Sequence, residues 1–141
     1  MKRLAIFIIF IGLCIKVQAQ KCDAVLGTWL SATKEGHILM YKRGNKYYGK
    51  LNWIILPKDA SGKLQTDKMN VHPELKKRQL LNLEIVKDFV CDGDTYKNGT
   101  IYDPKRGKAF NCKLSVSGNI LTVKGYIGMI PVHTEKWTRI K

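Results

Sequence analysis

Apolar and polar residues alternate with a period of two along most of the chain, and helical periodicity is nearly absent. Lys46–Leu56, "KYYGKLNWIIL", shows it best. Tyr47, Leu51, Trp53 and Ile55 fall on one face, and Tyr48, Lys50, Asn52 and Ile54 on the other. Gly49 breaks the first row, as a bend or a close packing contact would require. The same alternation predicts strands over Val25–Ala32, His37–Arg43, Leu81–Cys91, Thr95–Tyr102, Ala109–Val116, Ile120–Tyr126 and Val132–Ile140. Their separators, "GN", "DGD", "DPKRG", "SGN" and "GMIP", supply the Gly, Asp, Asn and Pro of tight turns. Eight strands with mostly short links predict an all-β domain: an up-and-down antiparallel barrel or a strongly curled sheet.

Pro57 to Gln79 breaks the pattern. A charged stretch of this length inside a small domain is uncommon and often functional. Pro73 is placed to start a short helical turn through Glu74–Lys77. The stretch "YDPKRG", with an aromatic, an acid and a basic pair, invites a catalytic reading. Its residue types are those of a turn: Pro104 presets φ, Asp103 bonds nearby backbone, and Gly107 supplies an unusual dihedral. Tyr102 then closes a strand at a barrel rim.

The first residues change the setting. Lys2 and Arg3 precede an apolar run, Leu4–Ile15, that ends in Val17-Gln18-Ala19. This is the pattern of a secretory signal peptide over residues 1–19, too short for a spanning helix. Residues 20–141 remain as a single domain, expected in the periplasm or outside a bacterial cell. The chain's net charge is +14. The leader contributes Lys2, Arg3 and Lys16 and no acid, which leaves +11. Such a balance attracts anionic envelope components, and export disfavours nucleic acid as a partner. Beyond the leader, Cys22, Cys91 and Cys112 allow three single pairings. Cys91–Cys112 is favoured because both fall in strands separated by only one other; three reduced thiols are the alternative.

Little in the chain resembles catalysis. His37, His72 and His133 are spread out, no Cys-x-x-Cys occurs, and no metal site or cofactor is expected. His37 and His133 read as ordinary strand histidines. No Gly-x-Ser-x-Gly elbow is present. Asp92 and Asp94 beside Cys91 would raise its thiol pKa, the wrong direction for a nucleophile. Asp67, Glu74, Asp88 and Asp103 read as solvated loop charge.

Several stretches resemble a family of exported bacterial proteins known as domain of unknown function 2147. They are "GTW" at Gly27–Trp29, "YYGKLNW" at Tyr47–Trp53, "TDKMN" leading into "LKKRQLL", "GTIYDPKRGKAFNCKL", "LTVKGYIG" and "TEKWTRI". The resemblance implies fold and compartment and brings no reaction. Asn82 stands where the family prefers Gly, and Val71-His72-Pro73 where Asn-Pro is usual. Asp67, Asn70 and Arg78 match the family's polar pattern in the long loop, either tethering it or presenting a guanidinium to an anionic ligand group.

A looser likeness is to lipocalins. "G-T-W" in the first strand with Arg139 in the last resembles the arrangement in which a guanidinium packs over a tryptophan at the barrel base. Trp29 and Arg139 would then be structural. The resulting expectation is a monomeric, non-enzymatic binding module. Its pocket would be the barrel mouth beneath the Pro57–Gln79 loop, its ligand small and apolar or amphipathic, with an anionic one in keeping with the charge. Asp67, Asn70, Arg78, Tyr102 and Tyr126 are the candidate ligand residues. The second expectation is a peripheral protein binding anionic lipid or glycan through its basic face, with the 42–50 hairpin as contact. A hydrolase or isomerase would need a clustered acid–base pair in a cleft.

Overall fold

The alternation is realised as eight antiparallel strands: β1 Gly27–Leu30, β2 Gly36–Arg43, β3 Lys46–Ile54, β4 Glu84–Asp92, β5 Thr95–Asp103, β6 Lys108–Ser117, β7 Ile120–Ile127 and β8 Ile130–Arg139. Each pairs with its sequence neighbour, and β1 pairs with β8, giving a closed up-and-down barrel. The computed structural model describes residues 19–140. The expected signal peptide lies outside the described residues, except for Ala19.

Most inward positions are apolar. Outward positions between them carry Lys50, Lys87, Lys97, Lys113, Lys124 and Lys136. This polarity is the reverse of a membrane-spanning barrel, whose outer band is apolar. Among the described residues no helix is long and apolar enough to cross a membrane.

The two ends of the barrel differ. At one end Trp29, Met40, Tyr47, Val86, Phe89, Leu114 and Leu121 fill the interior, each at most 2% exposed. The 3-10 turn Asp23–Val25 caps this end. Trp29 Nε1 donates to Val25 O at 2.8 Å, and Tyr47 Oη donates to Asp23 Oδ1 at 2.9 Å. Trp29 and Arg139 face each other in the β1–β8 register. The Arg139 guanidinium lies 4.1 Å from the Trp29 ring centroid and donates to the carbonyls of Leu26 and Ala24. One planar fork thus covers the indole and ties down the cap, which an ammonium could not do.

A disulfide joins Cys22 to Cys91 with Cα atoms 5.7 Å apart, and Cys112 is free and buried. This corrects the favoured Cys91–Cys112 pairing. Cys91 is level with Tyr96 on β5 and, through it, with Leu114 on β6; Cys112 is level with Gly99. Two strand spacings, about 9–10 Å, separate β4 from β6. A disulfide needs Cα atoms within about 7 Å.

The predicted faces of β3 also need correction. His37 pairs with Trp53 but Ile38 pairs with Leu51, so Asn52 is an extra, bulged residue. Beyond it the parity reverses. Ile54 turns inward, and Trp53 lies outside against the His37 ring, centroids 4.3 Å apart. Gly49 is a close-packing position: a Cβ there would meet Met40 Sδ at 2.6 Å.

Candidate functional site

At the other end the barrel is hollow. A cavity of about 310 Å³ opens there, between the β1–β2 and β5–β6 connections and the strands β7 and β8. Its wall is Ile38, Leu51, Ile54, Ile85, Ile101, Phe110, Val123 and Trp137, with Gly125 leaving a gap in the lining. Strand alternation places most of these side chains; Ile85 is the extra residue of a bulge between Glu84 and Val86, and the bulge at Asn52 brings Ile54 into the row. Across the mouth, Lys105 of the β5–β6 turn pairs with Glu35 of the β1–β2 connection. Asp103 O accepts from the backbone of Arg106 and Gly107, and Asp103 Oδ1 from that of Lys105. "DPKRG" is therefore a turn at the rim.

Two polar residues enter the apolar wall from β8. His133 Nε2 lies 2.9 Å from Glu135 Oε1, and Trp137 Nε1 donates to Glu135 Oε2 at 3.1 Å. Sequence reasoning missed this pair; His133 itself stays exposed, as a strand histidine would, while it lines the cavity mouth. The signal was present in "VHTEKW": period two sets His133, Glu135 and Trp137 on one face, and Trp137 is core. Cys112 also lines the cavity. Burial, and secondarily the Glu135 charge, push its thiol up to about 11, so it stays protonated at neutral pH. His133 and Glu135 form an acid–base pair, but neither hydrogen-bonds to a serine or cysteine, and the nearby thiol is no nucleophile. Among the described residues no three His, Cys, Asp or Glu side chains cluster as metal ligands would.

The long loop holds the other polar cluster. Asp67 is 1% exposed. Its Oδ1 accepts from Tyr102 Oη at 2.6 Å, and its Oδ2 from Asn70 Nδ2 and Arg78 Nε, both at 2.8 Å. Arg78 Nη2 is also 2.8 Å from Oδ2. Asn70 Nδ2 reaches Tyr102 Oη at 2.9 Å, and Asn70 Oδ1 accepts from the His72 backbone. Burial and the Asp67 carboxylate raise the Tyr102 pKa, keeping it a donor. Four of the five candidate ligand residues are thus brought together, and their donors converge on one carboxylate. Tyr126 does not join them. It lies on the outer face of β7 with Lys113 Nζ 5.3 Å from its ring centroid. Lys50 does not join them either and is opposite Glu84.

The cluster lies against the outside of the wall at its rim, where Tyr102 alternates with the inward Ile101 and borders the barrel cavity as well as the outer face. A cleft of about 400 Å³ there is lined by Asn70, His72, Arg78, Lys87, Thr100 and Tyr102 among others. Gly107 completes the seat: its φ is +66°, and a Cβ would fall 1.8 Å from Met69 O. No residue from 57 to 79 lines the barrel cavity; of the rest of the β3–β4 connection, Leu80 does. The loop is therefore pinned along the wall, not laid over the mouth as expected. It leaves the wall through Asn82, whose φ of +66° explains why glycine also suits that position.

Residues 27–139 match the family described as "Uncharacterized protein conserved in bacteria (DUF2147)". The chain belongs to the DUF2147 family. The matched stretch runs from the first residue of β1 to the last of β8, so in this DUF2147 protein it comprises the barrel and omits the cap and Cys22. Protein HP1028 from Helicobacter pylori, described as belonging to the lipocalin family, is similar in structure. The TM-score is 0.70 at 18% identity, with 83% of each chain covered. At that identity the likeness shows the fold alone. No curated protein matches the sequence.

Proposed function

We propose that this DUF2147 protein is a non-enzymatic binding module that acts outside the cytoplasm and holds a small apolar or amphipathic molecule in the open half of its barrel. The observation that carries this reading is the cavity of about 310 Å³, apolar-walled and open at one end, above a solidly packed base. Ligand pockets span about 300–1,000 Å³, so this one suits a small molecule. Eight-stranded barrels have interiors sized to be filled by side chains or to hold one small ligand, as in lipocalins. The structural similarity to a protein described as a lipocalin supports the same reading. Glu135 and His133 would meet the polar group of an amphipathic ligand, and the Asp67 cluster would keep the loop clear of the mouth.

The test uses N-phenyl-1-naphthylamine, an apolar dye whose emission rises in dry surroundings. The wild-type protein should bind it saturably at one site. Gly125→Leu adds a side chain to the cavity wall, where a Cβ would meet only His133, at 3.9 Å. It should fold normally and bind the dye at least about tenfold more weakly. Equal binding by both proteins would refute the cavity as the site. Native mass spectrometry of protein purified from envelope extracts would then show the natural ligand as a mass that the Gly125→Leu protein lacks.

A further inference from the structure

The large apolar side chains left exposed are unevenly placed. They fall at the end of β3 and the start of the loop (Trp53 to Leu56), within the loop (Leu64, Met69, Val71), and at the β7–β8 tip (Ile127 to Val132). All these segments belong to the open end of the barrel or to the loop that leaves it. The closed-end hairpins turn instead through Gly44-Asn45, Gly93-Asp94 and Gly118-Asn119. The β7–β8 tip is the extreme case. Ile127 pairs with Ile130 around Gly128-Met129, and Ile127, Met129 and Ile130 are 67%, 95% and 68% exposed. A hairpin tip gains nothing for its own fold from such residues, so a contiguous apolar tip marks an interaction site.

Two features identify the partner. In an eight-strand ring the β3–β4 and β7–β8 connections lie on opposite sides of the mouth. A surface touching Ile55 and Leu56 on one side and Met129 on the other is broad and spans the opening. The loop that starts at Leu56 also carries Lys58, Lys63, Lys76 and Lys77, none of them in an ion pair among the described residues. A second copy of the chain would present the same cations and be repelled. An anionic lipid surface offers both an apolar layer and phosphates.

We propose that the open end docks on an anionic lipid bilayer, with the Ile127–Val132 tip seated at the headgroup–acyl boundary and the loop lysines on lipid phosphates. The contact surface moves away from the basic 42–50 hairpin considered first. That hairpin is at the closed end, where Lys42, Arg43 and Lys46 are paired with Asp23, Glu84 and Asp88. The inference does not rest on the cavity reading. The Gly125→Leu protein should bind vesicles as the wild type does, even if the dye experiment fails.

The experiment is co-sedimentation with vesicles of equimolar phosphatidylglycerol and phosphatidylcholine, and with phosphatidylcholine alone. Binding should require the anionic lipid and weaken steeply between about 0.05 and 0.5 M NaCl. Met129→Glu/Ile130→Glu should bind at least about tenfold more weakly with unchanged circular dichroism, because two solvated side chains carry no folding contacts. Lys136→Glu, on the barrel wall, should bind nearly as the wild type. In Met129→Trp, emission of the new indole should shift blue on anionic vesicles and be quenched by brominated acyl chains. The proposal is overturned by no binding to anionic vesicles, by binding that ignores the tip double variant, or by an unshifted Met129→Trp. Self-association lost in Met129→Glu/Ile130→Glu would also overturn it, by making the tip a contact between copies.

Discussion

Removing the Cys22–Cys91 disulfide tests the closed end most directly. The bridge spans 69 residues of sequence. The chain-entropy relation for a loop of that size gives about 4 kcal/mol of stabilisation, through restriction of the unfolded chain. Without the bridge the cap still has Arg139, Tyr47 and Trp29 as partners, so the native barrel should persist and the loss should appear mainly through the unfolded state. The assay is equilibrium urea unfolding of Cys22→Ala/Cys91→Ala against wild type, followed by fluorescence of the buried Trp29 and Trp137. With a slope of about 2 kcal/mol/M, the midpoint should fall by about 2 M. That is a large share of the 5–15 kcal/mol typical of a domain. Cys112→Ala, which breaks no bond and removes one buried sulfur, should cost about 1 kcal/mol. Peptide mapping under non-reducing conditions should link Cys22 to Cys91 and leave Cys112 as the thiol that reacts after unfolding. A midpoint change under about 0.5 M, or a peptide linking Cys91 to Cys112, would refute the reasoning.

Three further outcomes follow from the geometry. Arg78→Ala strands the buried Asp67 carboxylate and should cost about 3 kcal/mol in urea unfolding, whereas Tyr102→Phe removes one charge-assisted bond and should cost about 2 kcal/mol. Both should expose the 57–79 loop to limited proteolysis, and a resistant loop would argue against the tether. Arg139→Lys keeps the charge but not the fork that joins Leu26 O, Ala24 O and the Trp29 ring. It should cost about 2 kcal/mol and alter the near-ultraviolet circular dichroism of Trp29. On the alkaline side, the unfolded Cys112 thiol ionises near its ordinary value of 9.0, while the folded thiol holds its proton to about 11. Stability present below pH about 9 should therefore be lost as the pH rises to about 11, and Cys112→Ala should lose less over that interval.

The hydrophobic pattern by itself determined the strands and their order. Alternation and turn residues located all eight strands, with ends moved by a few residues, and left a closed barrel or a strongly curled sheet; the pairing of β1 with β8 decided for the barrel. The sequence also put Trp29 in the first strand and Arg139 in the last, which closure of the ring makes neighbours. It marked Asp67, Asn70, Arg78 and Tyr102 as a polar set, though only folding made the carboxylate of Asp67 their common acceptor. The tertiary structure decided what depends on register and depth. One bulged residue at Asn52 reversed the faces of Ile54 and Trp53. The place of Cys22 in the cap and the strand levels of Cys91 and Cys112 chose the disulfide. Whether the interior was hollow followed from how far the large side chains reach: they fill the base around Trp29 and Phe89 and leave the mouth empty around Gly125. Periodicity records which way a side chain points, but not how high on the barrel it sits or what it meets there, and those two quantities place His133 and Glu135 at the cavity mouth and Tyr126 outside it.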